Sequence, residues 1–165
     1  MDIKVRTSRS NQMKKIAIGC DQIAFDLKED LKDYLRDSGF EPVDFGCKGV
    51  KDVVDYPDIA IQVAESIARN EFERGILLCG TGIGMAITAN KVPGVRAACC
   101  HDPYSAERAR KSNDAQILTM GAQIIAPTLA RIVLEHWLQS EFLGGRSTIK
   151  VKKINDIDEI YRNKR

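Results

Sequence analysis

Three short stretches carry side chains able to move a proton or hold an anion: Cys20-Asp21-Gln22, Cys79-Gly80-Thr81-Gly82-Ile83-Gly84 and Cys100-His101-Asp102. The middle stretch is the strongest. Glycines at alternate positions (Gly80, Gly82, Gly84) let the backbone turn tightly and aim several N–H groups into one concavity. A following helix adds the positive end of its dipole. Such a cradle suits a phosphate or the oxyanion of a developing enediolate. The plain alternative is a strand-to-helix turn with no ligand. A dinucleotide-binding fingerprint fails on register, because the third glycine of GxGxxG would fall at Met85, and because the motif sits on the third strand.

Cys79 stands immediately before the cradle. A thiolate is the reactive form of cysteine, and the amino end of a helix favours its negative charge, so Cys79 is positioned to act as a base. The alternative is an inert buried thiol, the reading given to Cys20, Cys99 and Cys100 because they lie in apolar strands. His101, at a strand end, reads either as a proton carrier or as a hydrogen-bonded structural histidine. His136, beside Trp137 in a helical pattern, is assigned to packing. Arg146 and Lys150 are four apart; on one helical face they would clamp a phosphate, and otherwise they form a solvated basic patch.

The elements that must position these residues alternate. Ile16 to Cys20 is a short apolar run of the kind found in buried parallel strands. A helix follows through Phe25, Leu27, Leu31 and Leu35 and stops at Ser38-Gly39. Further strands are predicted at Pro42 to Phe45, Gly75 to Cys79, Val95 to Cys100 and Gln116 to Met120. Helices are predicted from Tyr56-Pro57, from the cradle to about Val92, from Pro103 to Lys111 and from Pro127 to Gln139, with a closing helix around Ile157 and Ile160. Alternation at this spacing implies β-α-β units, a parallel sheet and helices on both faces. In such sheets ligands sit beyond the carboxyl ends of the strands, where all three reactive stretches fall.

Composition narrows the class. The chain has 165 residues, enough for one well-cored domain, with 44% hydrophobic and 29% charged residues, which points away from disorder and from a membrane protein. A net charge of +2 with scattered Lys and Arg implies no nucleic-acid surface. Five cysteines without a CxxC pair, and no apolar leader, read as free thiols in the cytosol. The two histidines have no metal-ligand spacing to the cysteines, so no metal site is expected. Residues 1–12 are polar and without period, and are read as a flexible extension or an expression scar ahead of a single domain at 13–165.

Several blocks in order resemble the type B ribose-5-phosphate isomerases and the wider family that includes galactose-6-phosphate isomerase subunits. They are Gly19-Cys20-Asp21, Asp55-Tyr56-Pro57, Cys79 to Gly84, Ala89 to Arg96, Tyr104-Ser105-Ala106, Asn113-Asp114-Ala115 and Gly144-Gly145-Arg146. The resemblance runs from about Lys14 to the last helix. It implies a Rossmann-like α/β/α sandwich with a five-stranded parallel sheet and a C-terminal helix. It also implies a homodimer or dimer of dimers with shared active sites, acting on a sugar phosphate without metal or cofactor. Carried over by position, Cys79 shuttles the proton between C1 and C2, and Gly80, Thr81, Gly82, Ile83 and Gly84 cradle the enediolate. Asp21 and Gln22 bind substrate, with Asp21 also a catalytic candidate that assists proton transfer between the two oxygens; Asn113 reaches in from a partner subunit, and Arg146 and Lys150 hold the phosphate. Arg108, Arg110 and Lys111 are expected at the subunit interface on the same grounds.

Two departures matter. Relatives usually have histidine where Gln22 and Ser112 stand, and the histidine at the second position is credited with opening the furanose ring. Serine has no pKa near neutrality and replaces it poorly. Either His101 takes over, or water opens the ring, or the substrate has no ring to open, as with a tetrose 4-phosphate of the erythrulose 4-phosphate type. The expected reaction is therefore ribose 5-phosphate to ribulose 5-phosphate, with a tetrose 4-phosphate or a hexose 6-phosphate as the alternative. A non-catalytic sugar-phosphate-binding module is the competing class.

Overall fold

A computed structural model describes residues 13–164; the proposed N-terminal extension lies outside the described residues. The strands are β1 (Lys14–Cys20), β2 (Phe40–Asp44), β3 (Gly75–Cys79), β4 (Ala97–Cys99) and β5 (Ile117–Gly121). The helices are α1 (Phe25–Asp37), α2 (Tyr56–Ala68), α3 (Ile83–Ala89), α4 (Pro103–Asn113), α5 (Pro127–Leu138) and α6 (Thr148–Arg162). All strand pairs are parallel, in the order β2-β1-β3-β5-β4.

Strand alternation divides the core. Ile16, Ile18, Ile76, Leu78, Leu118 and Met120 face α1, α4 and α5, where Leu31, Leu35, Ala106, Val133 and Trp137 meet them. Ala17, Leu77, Cys79 and Ile117 face the other way, against Ile59, Val63 and Ile67 of α2 and Met85 of α3. Two apolar layers on one sheet make the three-layer α/β/α sandwich. All five residues of β3 are buried, as a strand covered on both faces must be.

Local chemistry sets the boundaries. Pro103 occupies the first turn of α4, and Asp102 Oδ1 accepts the Ser105 N–H at 2.8 Å, capping the helix. Asp114, with φ of 49°, ends it. α3 stops at Ala89 and not near Val92, because the next amides bond three residues back instead of four, Lys91 N–H to Thr88 O at 2.9 Å and Val92 N–H to Ala89 O at 3.1 Å. β4 keeps three residues, shorter than the Val95 to Cys100 stretch. α6 is much longer than the expected closing helix, and only Val151 on it is buried.

Three expectations are corrected. Cys99 is exposed and not buried in the sheet, because β4 is an edge strand with no neighbour on its outer side. His136 is exposed, not packed: adjacent helical residues point about 100° apart, so Trp137 is buried while His136 faces solvent. Arg110 is buried within its own chain and not free for an interface, its Nη1 donating to Ala115 O at 3.1 Å and pairing with Asp114.

Candidate active site

β1 and β3 lie side by side at the sheet's centre, yet the chain leaves them in opposite directions, to β2 on one side and towards β5 and β4 on the other. In open parallel sheets a ligand crevice forms where strand order reverses in this way, at the carboxyl ends. Asp21 and Cys79 are found there. Cys20 pairs with Leu78, and the Asp21 N–H donates to Leu78 O at 3.3 Å, so Asp21 stands beside Cys79.

Asp21 is buried, and its Oδ1 accepts the N–H groups of Ile23 at 3.1 Å and Ala24 at 3.3 Å. One carboxylate oxygen is thus committed to capping the turn after β1. Burial pushes the Asp21 pKa up, against the pull of those two amides.

Cys79 is 5% exposed and its Sγ accepts the Gly82 N–H at 3.1 Å. Gly82 has φ of +77°, and a Cβ there would lie 2.8 Å from the Met120 backbone, so only glycine fits. Thr119 Oγ1 donates to Gly82 O at 2.8 Å, and the Ile83 N–H donates to Thr81 Oγ1 at 3.3 Å. The cradle therefore exists, but two of its amides are used internally, one of them on the sulfur. Among the described residues, no acceptor is found for the N–H groups of Gly80, Thr81 and Gly84.

Tyr56 belongs to the site although no role was read for it from the sequence. A Cβ on Gly84 would lie 2.5 Å from its ring, so the phenol rests directly on the cradle. The signal was the pairing of Tyr56 with Gly84, invisible without the packing of α2 against α3. Gln22 Oε1 accepts the Val54 N–H at 3.1 Å, tying the loop ahead of Tyr56 to the turn after β1. His101 Nε2 accepts the Gly121 N–H at 2.8 Å, and burial pushes its pKa down. Cys20 and Cys100 are buried, and burial raises both thiol pKa values, that of Cys100 to about 12.

The other predicted residues are elsewhere. α4 runs back from Asp102 to the amino ends of the strands, where Arg96, just ahead of β4, donates through Nε to Asn113 O at 3.1 Å. Ser112 and Asn113 are therefore at the opposite end of the sheet from Cys79. The segment bearing Arg146 and Lys150 is tied to that same end on both sides. Arg74, ahead of β3, binds Glu141, and Arg96 Nη1 donates to Asn155 Oδ1 at 2.9 Å. Lys150 is only about 7.5 Å of helix from Asn155. Arg146 and Lys150 are both exposed and lie in consecutive turns, on either side of the start of α6. The predicted residues thus fall in two groups within one chain: Asp21, Cys79 and the cradle, with Tyr56 beside them, at the carboxyl ends of the strands, and Ser112, Asn113, Arg146 and Lys150 towards the amino ends.

Comparison with known proteins gives a consistent result. Residues 16–154 match the family described as Ribose/Galactose Isomerase. A Ribose-5-P isomerase B from Listeria innocua is 55% identical over 148 residues, covering 90% of this chain and 99% of its own. A D-erythrulose-4-phosphate isomerase from Pectobacterium atrosepticum is 51% identical, covering 86% of this chain and 93% of its own. The solved structure of ribose-5-phosphate isomerase B from Clostridium thermocellum, 45% identical, superposes with a TM-score of 0.86 over 89% of this chain and 99% of that one.

Proposed function

The chain belongs to the ribose/galactose isomerase family, and from that premise we propose that it interconverts ribose 5-phosphate and ribulose 5-phosphate by proton transfer through an enediolate. The observation that carries this reading is the Cys79 sulfur, set beside Asp21 and in contact with the cradle amide of Gly82.

The chemistry follows from the placement. Cys79 thiolate takes the proton from C2 of the open-chain aldose, and the C2 electron pair forms the C1–C2 double bond as the carbonyl becomes an oxyanion. The free amides of Thr81 and Gly84 stabilise that oxyanion, and Gly82 N–H steadies the sulfur's charge. The same sulfur returns the proton to C1 while the oxygen on C2 becomes the ketone, with the hydroxyl proton passing from O2 to O1. The second oxygen of Asp21, not used in capping, is placed for substrate hydroxyls. Tyr56 closes the rim.

A homodimer, alone or paired into a dimer of dimers, completes the site. Ser112, Asn113, Arg146 and Lys150 are out of reach of Cys79 in their own chain, and docking two copies so that each amino-end group meets the other's crevice supplies the phosphate clamp. Exposed Ile83 and Ile87 on α3 offer apolar surface beside the crevice. We place the enzyme in the cytosol, where close thiols such as Cys20 and Cys47, with Sγ atoms 3.6 Å apart, stay reduced. No helix among the described residues is long and apolar enough to cross a membrane.

One observation favours a second substrate. Ser112 supplies no imidazole, and His101 Nε2 is occupied by Gly121. A tetrose 4-phosphate needs no ring-opening group, because its O4 is esterified. Assay of four-, five- and six-carbon aldose and ketose phosphates in deuterated solvent decides among these. Deuterium entering C1 or C2 of one of them confirms the isomerase, and binding without exchange across the panel identifies a non-catalytic module instead.

A further inference from the structure

Gly121 is the last residue of β5, and its N–H lies past the last residue of β4, Cys99. Up to that point the two strands share a backbone ladder, with the Ile117 N–H on Arg96 O at 3.2 Å and the Cys100 N–H on Thr119 O at 3.1 Å. The next rung is different. Its acceptor is the imidazole of His101, with Nε2 at 2.8 Å from the Gly121 nitrogen.

Gly121 in turn supports the cradle. It pairs with Cys79, and a Cβ on it would lie 2.5 Å from Thr81 Cα and 2.7 Å from Gly80 O. The two amides after it hold the same turn, Ala122 N–H on Cys79 O at 2.8 Å and Gln123 N–H on Gly80 O at 3.0 Å. A shift of the Gly121 peptide therefore moves the floor beneath the sulfur and the cradle.

We propose that His101 is a positioning residue: as a neutral imidazole it fixes the Gly121 peptide and with it the Cys79–Thr81 turn, and its protonation releases that turn and lowers turnover. This rests on the reading of Cys79 as the base. The physical reason is donor against donor, since a proton on Nε2 would face the Gly121 N–H with no acceptor between them. Burial favours the neutral ring, while the charge of Asp102, ahead of α4, opposes it. The other titratable neighbours are thiols, Cys79 across Gly121 and Cys99 and Cys100 on the β4 side; Ala122 and Gln123 carry no titratable group. Because the folded-state pKa is lowered, the support is complete above it and fails as pH falls through it.

The test uses the fact that the chain has only two histidines. In His136→Asn, the single imidazole C2–H signal and the Gly121 amide are followed by NMR against pH, beside kcat and KM for the best sugar phosphate. The two signals are expected to titrate together, with the acid limb of kcat at the same midpoint. In His101→Gln the amide oxygen replaces Nε2 and the acid limb disappears. In His101→Phe kcat falls roughly ten- to a hundredfold with KM little changed. A Gly121 amide indifferent to the imidazole titration, or full kcat in His101→Phe, overturns the proposal. If no sugar phosphate is turned over by the parent protein, the isomerase reading falls, whereas the NMR coupling still reports on His101 and Gly121.

Discussion

Asp21, just after β1, and Cys79, the last residue of β3, stand side by side one step beyond the Cys20–Leu78 pair, which brings together a carboxylate and a thiol from positions 58 residues apart. Their surroundings differ. Asp21 spends one oxygen on the turn after β1, and Cys79 accepts a cradle amide. The thiol thus meets the cradle backbone, while the carboxylate caps the turn beside it.

Cys79→Ala and Cys79→Ser are expected to lower exchange of solvent deuterium into the sugar by about 10²–10⁴-fold, the usual contribution of a positioned base. The near-isosteric serine should leave the melting temperature close to that of the parent. Exchange at the parent rate in either variant would remove the sulfur from the mechanism.

Asp21→Asn should separate stability from activity. Burial raises the Asp21 pKa, so above the unfolded-state pKa the ionised group lowers folding stability, and that cost disappears as pH falls through the higher folded value. Asparagine can still cap Ile23 and Ala24. Thermal melts at neutral pH should show a higher Tm for the variant, with the gap closing in acid, while kcat/KM falls.

Gly84→Ala should place its methyl against the Tyr56 ring, 2.5 Å from the nearest carbon, at a cost of about 1–3 kcal/mol. Removing the ring should remove the conflict. A double-mutant cycle with Tyr56→Ala, read by urea denaturation, should recover most of the loss. Additive effects would contradict the contact.

The split site predicts complementation. Cys79→Ala and Asn113→Ala chains, each weak alone, should regain about a quarter of parental activity when refolded together, since half the dimers are mixed and each holds one whole site. No recovery despite mixed dimers shown by native mass spectrometry would place the amino-end residues outside the site.

Ser112→His should raise turnover of ribose 5-phosphate more than that of a tetrose 4-phosphate, because only the former needs its ring opened. Parallel kcat measurements on both substrates check this, and equal changes would count against a ring-opening role at that position.

The sequence by itself determined the layers and the glycine turn. Periodicity and glycine spacing are local: β3 as Gly75 to Cys79, the prolines opening α2, α4 and α5, and the Gly80 to Gly84 turn were all legible because neighbouring residues dictate them. Only the tertiary structure decided what depends on residues far apart. It brought Asp21 to Cys79, laid Tyr56 on Gly84, gave the Gly121 amide to His101 and sent Ser112, Asn113, Arg146 and Lys150 to the far end of the sheet. Strand order and the antiparallel return of each helix set those distances, and neither is written in any local stretch of the chain.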